Sequence, residues 1–148
     1  MLIPEEFSII DPHIHQWDLL NTPRILSLPK KLLGWNQSLY ESVLTLGASK
    51  ADKDYVGDIS YVGYDYLPGS YVVDRGRLNI SHVVHVEAEW KDKSDFGPVK
   101  ETQWVASLFS GRAEPSLGGI VGHLDLRGGK VDAVLAAHKR ASSKLVGI

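Results

Sequence analysis

The segment Ile9-Ile10-Asp11-Pro12-His13-Ile14-His15 constrains this chain more than any other. The apolar, Ile-rich run from Phe7 to Asp11 suits a short strand buried on both faces, as strands of parallel sheets are. Pro12 cannot donate to a ladder, so regular pairing is expected to end near Asp11 or to bulge there, leaving His13 and His15 at the C-terminal mouth of the strand. Residues two apart on a strand point to one side, about 6.6 Å apart at roughly 3.3 Å per residue, so the two imidazoles can converge on one ion. Neutral imidazole suits zinc or manganese, and a catalytic zinc commonly keeps three protein ligands and an open position, so two histidines alone do not complete such a site. The competing reading is a pair of polar strand-end residues bonded to their neighbours. Asp11 falls on the same alternation and either orients an imidazole or caps the turn. Trp17, with Asp18, is either pocket wall or the anchor of the long loop after it.

From Leu19 to about Ile59 no period of 2 or 3.6 is sustained, and Pro23, Pro29, Gly34, Gly47 and Gly57 punctuate the run. It reads as a long loop after the first strand, with one helix around residues 38–46. Loops of this length are often functional. Tyr55, Tyr61, Tyr64, Tyr66 and Tyr71 then pack this excursion against the body or cover a ligand. Pro68 precedes a short expected helix over 71–77. The β-branched run 81–88 reads as a second strand, and Pro98 opens a helix whose apolar face carries Trp104, Val105, Leu108 and Phe109, with Glu101 placed for the dipole. Residues 119–126 read as a third strand. Val131, Val134, Leu135 and His138 then mark a helix at i, i+3, i+4 and i+7, and 144–148 begin a fourth strand. Strands alternating with helices imply right-handed βαβ units and a parallel α/β sheet, here one domain over 1–148.

Several polar residues fall on these strands. His85, Glu87 and Glu89 share one face of the second; His123 and Asp125 repeat the pattern on the third, and charged groups near C-terminal strand ends would reach a catalytic mouth. Each is either a ligand- or substrate-contacting group or a satisfied structural residue, while His82 and His138 are expected to be structural or exposed. The net charge of −2, with no Lys/Arg cluster, argues against a nucleic-acid surface and for a small-molecule substrate. The absence of cysteine removes disulfides, zinc ribbons and thiol nucleophiles, so any metal needs imidazole and carboxylate. Phosphate-loop spacing and the Gly-X-Ser-X-Gly elbow are also missing. The acidic start, Met1 to Glu6, has no basic segment and apolar run, and no stretch approaches the ~20 apolar residues of a membrane span, so no membrane association and a cytoplasmic location are the expectation.

The run Ile10 to Asp18 resembles the opening of the amidohydrolase-2 family of the amidohydrolase superfamily, the branch containing 2-pyrone-4,6-dicarboxylate lactonase and sugar lactonases. In the same order, Asp65-Tyr66-Leu67-Pro68, Val84 to Ala88, Glu101 to Val105, Gly119 to Leu126 with Asp132 to Leu135, and Leu145 to Ile148 are similar to later segments of that family. The resemblance implies the N-terminal part of a (β/α)8 barrel. It also implies that His13 and His15 are the first-strand pair that holds a divalent metal in many members and binds substrate in metal-independent lactonases. Histidines of the fifth and sixth strands and an Asp ending the eighth have no counterpart in these 148 residues. The implied activity is hydrolysis of a lactone or related ester or amide of a small carboxylated or sugar-derived substrate, by a longer enzyme of which this piece alone is inactive. Trp17, His85 and His123 are the candidates for substrate contact, with Glu87 and Asp125 as further catalytic candidates. A metal-dependent decarboxylase of the same superfamily and a non-catalytic half-barrel module are the alternatives. A barrel needs about 250 residues, so half of one exposes edges that the rest of a longer chain or a homo-oligomer would cover.

Overall fold

A computed structural model describes residues 7–58, 60–111 and 115–148; the acidic start and Ile59, at the expected limit of the excursion, lie outside the described residues. Four strands, β1 (Ile9–Ile14), β2 (Ile80–Val86), β3 (Ser116–Val121) and β4 (Leu145–Gly147), form one parallel sheet in the order β1-β2-β3-β4. Helices α4 (Pro68–Asp74), α5 (Gly97–Leu108) and α6 (Val131–Ala141) alternate with them, giving the expected parallel α/β sheet. Inside the expected excursion stand α1 (Ser27–Leu33), α2 (Gln37–Gly47), α3 (Lys50–Val56) and a 3₁₀ turn, Ser60–Gly63. The chain divides into two compact units: the excursion, Trp17–Asp65, and the sheet unit, which comprises the chain up to Gln16 and from Tyr66 to Ile148.

In the sheet unit, one face of the sheet carries the core. Ile14, Ile80, Val83, Leu117 and Ile120 pack with Tyr71 of α4, Val105 of α5 and the neighbouring Phe109. Pro98 sits in the first turn of α5, where its missing N–H costs nothing. The expected apolar stripe of α5 is realised through Val105 and Phe109, both buried.

Register is broken at each pairing, and the breaks decide which side chains share a face. In β1, Asp11 stands opposite Val83 but Ile14 opposite His85, so β1 carries one extra residue at Pro12 and His13. This is a bulge where the proline removes a donor, as anticipated, although pairing continues beyond it to Ile14. An extra residue reverses the alternation. Ile9 and Ile14 both pack into the core, and Tyr71 of the core bonds Asp11, whereas Ile10 and His13 are exposed. The expectation that Asp11 shares a face with His13 and His15 is therefore corrected by the bulge. A second extra residue, Gly118, lies between Leu117 opposite Val83 and Gly119 opposite Val84, and it lets Leu117 and Ile120 both face the core.

The third strand begins three residues earlier than its sequence pattern suggests and ends at Val121, so His123 and Asp125 lie in the loop that comes after it. In the excursion, α2 matches the expected helix and is capped by Asn36, whose side chain accepts from Leu39 N. The two seven-residue helices α1 and α3 went unrecognised because neither carries a sustained apolar face; Pro29 is accommodated in the first turn of α1.

Candidate active site at the strand ends

His13 and His15 meet just beyond the bulge. Their Nε2 atoms are 3.0 Å apart, with the ring planes at 75°. His15 Nδ1 stands 3.0 Å from the carbonyl of Val86 and 3.2 Å from that of Glu87, at the end of β2. A carbonyl only accepts, so Nδ1 carries the proton and donates, which leaves the Nε2 lone pair of neutral His15 directed at His13. Backbone anchoring of one ring nitrogen is how a metal-binding or hydrogen-bond-accepting imidazole is commonly held in its tautomer. Two nitrogens each ~2.0–2.1 Å from a shared ion, opening between a right angle and a tetrahedral angle, are about 2.8–3.4 Å apart, and the observed separation falls in that range. Among the described residues no group of three or more His, Cys, Asp or Glu could hold an ion, so the pair by itself offers two ligands.

Asp11 supports the bulge from the core side. Its Oδ1 accepts from His13 N at 3.1 Å and its Oδ2 from the Tyr71 hydroxyl at 2.8 Å. Burial first, and the bond to Asp11 second, push the Tyr71 phenol far above its ordinary range, so it remains a donor.

The other candidates separate. Glu87 comes directly after β2, continues the ladder by donating its N–H to Val121 O, and holds its Oε1 3.9 Å from His123 Nδ1 in the loop after β3. Those two side chains are partly or largely exposed at the strand ends. Asp125 lies in the same loop, but its carboxylate accepts from Arg127 N and Nε, both at 3.0 Å, and these bonds hold it below the usual carboxylate range. His85, expected to contact substrate, is instead fully buried on the core side of β2, with Nε2 3.9 Å from Glu101 of α5. Its position in phase with core residue Val83 explains this. Glu89 lies beyond the strand at a φ of +54° and does not continue the alternation. Trp17, in the excursion, donates its indole N–H to the carbonyl of Tyr64 and so anchors that unit internally.

The expected tyrosine cluster divides likewise. Tyr71 belongs to the core and Tyr66 donates to Asp74 in the sheet unit, whereas Tyr55, Tyr61 and Tyr64 belong to the excursion and are exposed.

Sequence reasoning missed a set of buried polar groups behind the strand ends. Glu101, expected to serve the helix dipole, is 3% exposed and accepts from Ala88 N at 3.1 Å. Its neighbour Thr102 bonds His138 Nδ1 at 2.8 Å, and His138 Nε2 reaches the carbonyl of His123 at 3.1 Å. A signal was present: residues 101 and 102 fall in phase with Val105 and Phe109, and a charged residue inside a buried stripe is rare unless it is partnered.

No family model matches the chain, and no solved structure matches it. The chain is similar to the uncharacterised protein y4mH of Sinorhizobium fredii (strain NBRC 101917 / NGR234), at 26% identity over 133 residues. That alignment covers 90% of this chain and 36% of the relative, so the chain spans about a third of the protein it matches. Among the described residues no helix is long and apolar enough to cross a membrane.

Proposed function

We propose that the chain is the N-terminal part of a (β/α)8-barrel hydrolase of the amidohydrolase type, which opens a lactone or cleaves a related ester or amide of a small carboxylated or sugar-derived substrate. The observation that carries this reading is the pair of Nε2 atoms 3.0 Å apart at the C-terminal end of a first parallel strand, one of them fixed as an acceptor by the β2 carbonyls. Ligands of parallel α/β folds bind at that end of the strands, which supports a site there. The span of about a third of the relative's length supports a longer enzyme that contributes further groups.

His13 and His15 would hold a zinc or manganese ion, which when bound supplies Lewis-acid polarisation of a substrate carbonyl. In the metal-independent form of the same reading, the pair supplies hydrogen bonds to the substrate, with a substrate oxygen taking over the Nε2–H that His13 otherwise directs at His15. Glu87 and His123 stand at the same strand ends as groups able to accept and donate hydrogen bonds to substrate.

Zinc titration by calorimetry, paired with a lactone panel followed by proton release and both made on the longer polypeptide, tests the proposal. Binding or lactone opening that disappears in the His13→Ala, His15→Ala double variant supports it. An unaltered double variant removes the pair from function, and carbon dioxide release in place of simple acidification would favour a decarboxylase.

A further inference from the structure

Behind the strand ends, α5 and α6 present three consecutive-in-space polar groups to two different strand ends. Glu101 takes the N–H of Ala88, the residue after Glu87; Thr102 bonds His138, and His138 bonds the carbonyl of His123. Thr102 and His138 are fully or almost fully buried.

The direction of this chain is set by the groups themselves. The His123 carbonyl can only accept, so His138 Nε2 carries a proton and donates. Burial lowers the His138 pKa from its ordinary value, so the ring is neutral and Nδ1 has a lone pair. Thr102 Oγ1–H therefore donates to Nδ1. The ring comes this close because residue 122 has no side chain: a Cβ there would lie 3.0 Å from His138 Cε1, 3.1 Å from its Nδ1 and 3.4 Å from Thr102 Oγ1.

We propose that Thr102 and His138 are positioning residues, whose proton-ordered chain from Thr102 through His138 to the carbonyl of His123 fixes the loop after β3. Together with the grip of Glu101 on Ala88, this chain sets where Glu87 and His123 stand at the strand ends. Its role in turnover rests on the hydrolase reading; its role in ordering the loop does not. A polar group at 102 is otherwise unexpected, since Val is nearly isosteric and would suit a buried helix face.

The test compares Thr102→Val, Thr102→Ser and Gly122→Ala with the parent, each made in the longer polypeptide that the hydrolase reading requires. The readouts are histidine side-chain nitrogen-15 NMR, amide exchange over residues 122–125, zinc affinity and hydrolysis of glucono-δ-lactone. The parent should show His138 protonated at Nε2 alone. Thr102→Val should shift the His138 Nδ1 resonance, raise amide exchange in the loop at least tenfold, and lower kcat at least tenfold with zinc affinity within twofold of the parent. Thr102→Ser should restore all of these. Unchanged loop exchange in Thr102→Val, or a serine variant as impaired as the valine variant, overturns the proposal. If Thr102→Val does not fold, Gly122→Ala decides: a loosened loop with displaced His138 resonances supports the inference, and an unchanged loop overturns it. A parent protein that opens no lactone defeats the hydrolase reading alone, because tautomer and loop exchange still decide the positioning role.

Discussion

The histidines of this chain show how one residue type takes different roles according to which atoms its ring nitrogens meet. His15 is tied by Nδ1 to the β2 carbonyls, and removal of its ring should weaken zinc binding by more than the roughly 10–100-fold that loss of an outer-shell partner causes, as measured by calorimetry on His15→Ala. His138 is the opposite case, buried and neutral. Its folded pKa lies below the unfolded value near 6.5. The unfolded chain therefore binds the extra proton more readily, so the stability this ring contributes is complete above that value and is lost as pH falls through the lower folded pKa. Thermal melts from pH 7.5 down to pH 5 should show a decline that is flatter in His138→Gln. Tyr71→Phe, which removes the donor to Asp11, should cost about 0.5–1.5 kcal/mol by urea denaturation. The His-X-His pair was legible from spacing alone. The tautomers were not, because the β2 carbonyls that fix His15 come from 71 and 72 residues away.

At the scale of elements, the alternation of strands and helices was readable because apolar periodicity is a local property. Which face a strand residue occupies was not, since a single extra residue inverts everything after it, and both β1 and β3 contain one relative to β2. The bulge therefore separates His13 from Asp11, which stays on the core side, while His85 faces the core in phase with Val83. Phe109, just past the end of α5, is 7% exposed and packs in the sheet core, so Phe109→Ala should cost about 3–5 kcal/mol in chemical denaturation. The short helices α1 and α3 escaped recognition because seven residues without a sustained apolar face show no period, whereas the equally short α4 is marked by Pro68 at its start.

For the molecule as a whole, the sheet has a core on one face and apolar residues exposed elsewhere on it. Ile10 and Val146 are 60% and 64% exposed, on the two outermost strands β1 and β4. Exposed strand edges with apolar neighbours invite association. Light scattering of the 148-residue chain should show concentration-dependent self-association that Ile10→Lys with Val146→Lys reduces. The same double variant in a polypeptide as long as the relative should lose stability, because there those positions would be covered.

The bulge in β1 also has a consequence for how such a sequence can change over generations. Asp11 and Ile14 share one side of the sheet although two residues lie between them where the neighbouring strand has one, because the bulge absorbs the extra residue. Point substitutions at Pro12 leave that count intact, and deleting it would leave one residue between Asp11 and Ile14, as in the neighbouring strand, so that a regular ladder without the bulge would keep the isoleucine inward and His13 outward. In mutational libraries this stretch should accept loss of Pro12 with the faces of His13 and Ile14 preserved, at the cost of the turn in which Asp11 accepts from His13 N, so that the inherited quantity is the side on which each residue stands before the number of residues that precede it.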